Sequence, residues 1–235
     1  MHYIRSYVLR QGKMTKAQAK AYAEWKDTYC IPFAEGTSLD FSVLFPQAER
    51  VVLEIGFGMG EATAQLAQEM PRTGFLGIEV HTPGVGKLLW EIHHRQLSNI
   101  RIVQADAVLV LQEMIAPESL DGVHIFFPDP WPKKRHHKRR LITDDFLTLL
   151  ASRMKEGAYL YMVTDWEEYA FWMLERVDRC NFLQNPYRSF APPIPWRPRT
   201  AFEQKGVREG RKINEIFAEK RISSNSSNTY SEGDS

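Results

Sequence analysis

Val51-Val-Leu-Glu-Ile-Gly-Phe-Gly-Met-Gly60 is the stretch whose reading decides the fold. Four apolar residues around one acid make a buried strand, and three glycines at alternate positions then impose a tight turn. Glu61–Glu69 reads as the helix that follows. The same rhythm continues toward the C-terminus. Gly74–Val80 is a second strand, with a helix over Pro83–Leu97; Asn99–Gln104 is a third, with a helix over Ala107–Ile115. Val123–Phe127 is a fourth strand; a helix over Asp144–Lys155 leads to a fifth at Ala158–Thr164, and Glu167–Cys180 is again helical. Strands and helices alternating at this spacing predict an α/β fold, a parallel sheet covered on both faces. Lys212–Arg221 reads as a closing antiparallel strand.

Outward from this core the pattern weakens. Residues 1–30 are basic and polar, with helix formers over Lys16–Lys26, and read as an N-terminal arm or peripheral helix. Ile31–Gln47 is loop-like, and the domain is expected to span 31–222. Pro186, Pro192, Pro193, Pro195 and Pro198 predict a long irregular section. Ser223–Ser235, rich in Ser, Asn and Thr, is expected to be a disordered tail.

Length and composition bound the class. A chain of 235 residues suits one sizeable α/β domain with small additions. No apolar run approaches eighteen residues, so no membrane span is expected. The basic N-terminus lacks an apolar segment of the secretory kind. Cys30 and Cys180 form no CxxC pair, so a reducing cytoplasm is the expected setting. The net charge of +1 conceals segregation: residues 1–20 carry +5, residues 133–140 carry +6, and the remainder is near −10. Charge divided this way favours a polyanionic partner on one face.

The second informative stretch is Asp121–Arg140. Its strand stops at Phe127-Pro-Asp-Pro-Trp-Pro132, where three prolines end ladder pairing and predict a stiff, extended loop bearing Asp129 and Trp131. Lys133 to Arg140 are then all Lys, Arg or His. A turn plus a solvated basic face accounts for each part separately; together they suggest a base handled beside its phosphates.

Open parallel sheets bind ligands beyond the carboxyl ends of their strands. Two ligands compete for the first such end. A dinucleotide site of the GxGxxG type would need glycine at position 61, which is Glu61. The spacing Glu54-x-Gly56-x-Gly58-x-Gly60 instead resembles the first motif of Rossmann-like class I S-adenosyl-L-methionine-dependent methyltransferases. That resemblance implies a mostly parallel seven-stranded sheet with helices on both faces. S-adenosyl-L-methionine has no pyrophosphate and carries cationic groups, which suits Glu54. Glu79 ends the second strand, where a carboxylate can accept from both ribose hydroxyls. Asp106 follows the third, placed for an adenine amino group with the Ala107 amide beside it.

The acceptor is narrowed by chemistry. Cys30 and Cys180 lie away from strand ends, against attack through a cysteine on C5 of cytosine. The Pro-Asp-Pro-Trp loop resembles the Asn/Asp-Pro-Pro-aromatic loop used on exocyclic amines without matching it. A ring nitrogen such as guanine N7 needs no deprotonation and gains positive charge as it is methylated, which a fixed carboxylate stabilises. Asp129 is the candidate, either for that role or for orienting guanine.

Pro128-Asp-Pro-Trp-Pro-Lys-Lys-Arg-His-His-Lys-Arg-Arg140, with the glycine turn and Ile4-Arg-Ser-Tyr-Val-Leu-Arg-Gln-Gly12, resembles the bacterial tRNA (guanine-N7-)-methyltransferase family over about residues 4–220. The resemblance implies methylation of guanine 46 in the tRNA variable loop. It implies Glu54, Gly56, Gly58, Gly60, Glu79, Asp106, Ala107 and Asp129 at the cofactor, with Asp129 catalytic. Lys133, Asp165, Thr200, Phe202 and Glu203 match substrate-contacting positions, and Arg135, His136, His137, Lys138, Arg139 and Arg140 match the RNA-facing segment. Asp165 is equally compatible with capping the next helix. Ala201 stands where the family's motif typically has Lys, and Arg199 or Lys205 are the nearest replacements. tRNA is the expected partner, with no membrane or metal; His93 and His94 point about 100° apart on their helix, a poor metal pair. A monomer is expected, with a homodimer as the alternative. Other readings left open are a methyltransferase for another RNA or DNA base and a non-catalytic RNA-binding protein that senses S-adenosyl-L-methionine.

Overall fold

The computed structural model describes Tyr7 and residues 12–223, the side chains of Ala201, Phe202 and Lys205 excepted. Most of the Ile4–Gly12 motif, and the tail from residue 224 on, therefore lie outside the described residues. Helix α1 (Lys16–Tyr29) starts with a capping box: the Thr15 hydroxyl accepts from the Gln18 amide at 3.2 Å, and the Gln18 side chain accepts from the Thr15 amide at 2.7 Å. It packs on α4 (Thr82–His94) so closely that a Cβ on Gly86 would lie 2.8 Å from the Gln18 carbonyl oxygen. A single helical turn, α2 (Phe41–Leu44), capped by Asp40, interrupts the region expected to be loop.

The remaining order is β1 (Arg50–Ile55), α3 (Glu61–Glu69), β2 (Thr73–Ile78), α4, β3 (Ile100–Val103), α5 (Ala107–Glu113) and β4 (Leu120–Phe126). A 3-10 helix (Lys134–Arg139), α6 (Asp144–Arg153), β5 (Met154–Thr164), α7 (Glu167–Arg179), β6 (Leu183–Gln184), α8 (Ala201–Arg208) and β7 (Asn214–Lys220) follow. The sheet has seven strands in the order β3-β2-β1-β4-β5-β7-β6. The first five are mutually parallel, and β7 runs antiparallel to both its neighbours. The mostly parallel seven-stranded sheet is thus as expected.

Side-chain alternation sends β1 to two cores. Leu53 and Ile55 pack with Val110, Leu150 and Tyr169 of α5, α6 and α7, whereas Val52 packs with Ala64, Leu88 and Ile92 of α3 and α4. Helix α8 corrects the expectation of an irregular section. The prolines at 192, 193, 195 and 198 all precede it, and the Thr200 hydroxyl accepts from the Glu203 amide at 3.1 Å, so the helix begins where the prolines end. From β1 the chain crosses to β2 and β3 on one side, and from β4 to β5 on the other. The carboxyl ends of β1 and β4 therefore flank the crevice where open sheets bind ligands.

Candidate active site

A cavity of about 230 Å³ opens at that crevice. Gly56 after β1, Glu79 after β2, Ala105 and Ala107 around the end of β3, and Phe127 to Asp129 after β4 share its wall with Tyr7. The ends align because the parallel ladders run past the strands: the Gly56 amide donates to Ile78 at 2.8 Å and the Phe127 amide to Val163 at 2.7 Å. The glycine turn and Asp129, seventy residues apart in the chain, thus face one space.

The turn itself requires glycine. Gly56, Gly58 and Gly60 have φ of 73°, 59° and 72°, and Cβ atoms on Gly56 or Gly58 would meet nothing within 4 Å, so the cradle is open toward the cavity. Behind it, a Cβ on Gly84 would come within 2.0 Å of the Gly58 carbonyl oxygen, so α4 abuts the turn backbone directly.

Three acids stand at or just past the carboxyl ends of β1, β2 and β3, and of these Glu79 lines the cavity. Glu79 accepts from the Gly58 amide at 2.9 Å through one oxygen, and from the amides of Val80 and His81 at 2.7 and 3.0 Å through the other. Asp106 caps α5, accepting from Val108 at 2.9 Å. Glu54 is buried, and its Oε2 has no hydrogen-bond partner among the described residues. Burial raises its pKa to about 7, with the Thr63 hydroxyl opposing the rise and the Glu79 charge adding to it.

This donor set fits S-adenosyl-L-methionine and disfavours a dinucleotide. The Gly58 amide, which a pyrophosphate would need, is taken by Glu79, whose carboxylate beside the turn repels an anion. A cation, by contrast, meets the unpartnered Glu54 oxygen. His124, on the neighbouring strand, is held near pKa 3 by burial and hydrogen-bonds Tyr159 at 2.9 Å, so it is a neutral packing group and no base.

The Asp129 loop differs from the expected extended run. Phe127 and Trp131 take φ of 52° and 46°, so the loop bends on both sides of Pro-Asp-Pro. Left-handed non-glycine residues cost about 1–3 kcal/mol each and persist where their surroundings hold them. Beyond the loop, Lys133, Lys134, Arg135 and Lys138 are exposed. Arg139 stacks 5.1 Å from the Trp131 ring centroid, His136 meets the same ring edge-on, and His137 meets Trp172. Desolvation and its cationic neighbours hold the His136 pKa below the usual histidine value, so the charge here comes from Lys and Arg.

Three of the expected site residues have charged partners within the protein. Arg140, read as RNA-facing, is buried. Glu203, read as a substrate contact, is also buried and forks onto Arg197, which also binds Glu215 at 2.9 Å and the Tyr161 hydroxyl at 3.0 Å. Asp165 does not cap α7; the Thr164 hydroxyl accepts from the Trp166 amide at 3.2 Å, and Asp165 pairs with Arg211. Lys133 and Thr200 do not line the cavity, and the Phe202 side chain lies outside the described residues. Arg197, Arg211 and Glu168 were not singled out by the sequence. Each has a partner remote in the chain, 18, 46 and 28 residues away, and no local spacing marks them. His93 and His94 stack on Trp25 and Trp90, and among the described residues no group of three or more His, Cys, Asp or Glu could hold a metal. No helix among them is long and apolar enough to cross a membrane.

Comparison with known proteins agrees with this geometry. Residues 48–216 match a family model described as "Putative methyltransferase". A tRNA (guanine-N(7)-)-methyltransferase of Methylobacillus flagellatus is 54% identical, covering 91% of this chain and 90% of its own. One from Nitrosospira multiformis is 49% identical, covering 93% and 95%. Among solved structures, the 16S rRNA methyltransferase KamB superposes with a TM-score of 0.56 at 13% identity, covering 80% of this chain and 96% of its own. A 30S ribosomal A1408 methyltransferase from an uncultured bacterium gives 0.53 at 13% identity, covering 80% and 100%. At that identity the likeness concerns the fold alone.

Proposed function

The chain belongs to the family of the tRNA (guanine-N(7)-)-methyltransferases, and on that premise we propose that it methylates N7 of guanine 46 in tRNA with S-adenosyl-L-methionine as donor. When bound, S-adenosyl-L-methionine supplies an electrophilic methyl carbon on a cationic sulfur. Glu54, buried and with an unpartnered oxygen, is the countercharge for a cationic ligand in the cradle. Glu79, its two oxygens set by three amides, is oriented to accept from ribose hydroxyls. Asp106 and the Ala107 amide, past the end of β3, would hold the adenine.

Guanine N7 carries an exposed lone pair, so no base is needed to unmask it. The purine becomes cationic as the bond forms, and Asp129 either stabilises that charge or orients the base through its N1 and N2 donors. Lys133, Lys134, Arg135 and Lys138 contact phosphates, while Asp165 and Thr200 border the acceptor side. A tRNA substrate supports a cytoplasmic setting.

The observation that carries the reading is the single cavity walled by both Gly56 and Asp129. It is tested with a tRNA transcript and its counterpart bearing adenine at position 46. Methyl-labelled donor should mark the first and leave the second unlabelled; equal labelling of both would move the acceptor elsewhere.

A further inference from the structure

Arg140 closes the polycationic run but turns away from it. Its side chain is fully buried, while that of its partner Glu168 is 55% exposed. The guanidinium Nε donates to the Pro130 carbonyl at 2.9 Å, Nη1 donates to one Glu168 oxygen at 3.0 Å, and Nη2 donates to the other. The cation also lies over the rings of Tyr169 and Trp172, at 4.8 and 4.7 Å. Three of its five N–H groups are thus used inside the protein, and its burial keeps the remainder from a phosphate in solvent.

Pro130 is the residue next to Asp129, in a loop whose prolines remove the amides that would otherwise tie it down. Left-handed residues flank it at Phe127 and Trp131. Such a conformation needs a clamp, and the Pro130 carbonyl receives one. Helix α7 fixes the clamp in turn. Besides Glu168, its Tyr169 hydroxyl accepts from the Ile142 amide at 3.3 Å, and its Trp172 Nε1 donates to the Ile142 carbonyl at 2.8 Å. The same helix begins two residues after Asp165. One rigid element therefore sets where the Asp129 loop and Asp165 stand relative to each other.

We propose that Arg140, locked by Glu168 on α7, is a positioning residue that holds the Asp129 loop in its reactive placement and makes no contact with RNA. This rests on Asp129 acting in guanine methylation. Lysine at 140 offers one ammonium on a flexible stem in place of a planar fork, so it does not reproduce the fixed grip on Pro130 and Glu168.

The test is a cycle of wild type, Arg140→Lys, Asp129→Asn and the double variant, each followed by single-turnover methylation of tRNA, tRNA affinity across salt, and melting. Arg140→Lys should slow turnover by about 30-fold, the scale on which small misplacements act. Its tRNA Kd should stay within about twofold and its salt slope unchanged. In the Asp129→Asn background the same change should cost less than about threefold, because both act through one group. Glu168→Gln, which keeps a neutral hydrogen bond, should show the same pattern at about fivefold, and it replaces Arg140→Lys in the cycle if that variant does not fold. Weaker tRNA binding with a salt slope lowered by about 1 would make Arg140 a phosphate contact and overturn the proposal. Multiplicative losses, or unchanged turnover, would also overturn it. Wild-type protein that leaves tRNA unmethylated would instead overturn the functional reading.

Discussion

The two halves of the sheet's carboxyl edge hold their acids by different means. On the glycine-turn side, Glu79 and Asp106 are oriented by backbone amides one or two residues away and, for Glu79, by the Gly58 amide on the turn after the neighbouring strand. On the Asp129 side, Asp165, Glu168 and Glu203 are each gripped by an arginine, from Arg211, Arg140 and Arg197 respectively. Amides are fixed by the strand ends themselves, so the cofactor half is built as soon as the sheet forms. The arginine half depends on long side chains from elements that close later in the chain, around a loop bent at Phe127 and Trp131. A donor that is the same in every turnover suits the first arrangement. A large polyanion that must dock suits the second, whose outer layer is the exposed Lys133–Lys138 turn.

The contrast can be broken most severely at Arg197. Arg197→Met would strand the buried carboxylates of Glu203 and Glu215, and chemical denaturation should show a loss of about 3–5 kcal/mol. A loss near zero would mean that those acids are not charged in the fold. Next in size, Asp129→Asn should lower single-turnover methylation by about 10²–10³-fold with tRNA affinity within about twofold, the scale seen when one charge-stabilising group is removed. Unaltered turnover would take Asp129 out of the chemistry.

Glu54 sharpens the comparison through pH. Its folded pKa is raised to about 7 from 4.5, so between those values the folded protein retains a proton that the unfolded chain has released. Stability contributed by this group is therefore full below about 4.5 and is lost as pH rises toward 7, by about 3 kcal/mol in all. Melts of the ligand-free protein and of Glu54→Gln across that range should differ by this slope. Cofactor affinity should move the other way, strengthening through pH 7 as the carboxylate ionises. The smallest effect belongs to the outer layer: Lys134, Arg135 and Lys138 changed together to Ala should reduce the salt slope of tRNA binding by about 2 and leave cofactor affinity unchanged.

What could be read in advance follows the same division. The succession of β1 to β5 and the closing β7 was legible from apolar patterning, and the Gly56–Gly60 turn with the acids Glu54, Glu79 and Asp106 from their place within a few residues of a strand end. Asp129 was legible through its prolines and the charge run behind it. The bends at Phe127 and Trp131 were not, since proline spacing alone signals extended backbone and the clamp on Pro130 comes from Arg140. Arg140 belonged to a run whose outward charge hid one inward member. Its partner is 28 residues away, that of Arg211 is 46, and one of those of Arg197 is 18, separations at which periodicity carries no signal. Helix α8 was masked by the prolines that precede it, although Thr200 supplied a cap.

The central claim is that a methyl donor in the glycine cradle meets guanine N7 at Asp129. It is tested most directly by giving the purified protein methyl-labelled S-adenosyl-L-methionine and unmodified tRNA, then digesting the product to nucleosides. The label should appear as N7-methylguanosine at one position per tRNA, and its rate of appearance should fall by about 10²–10³-fold with Asp129→Asn. Label in any other nucleoside, or none with the wild-type protein, would contradict the account.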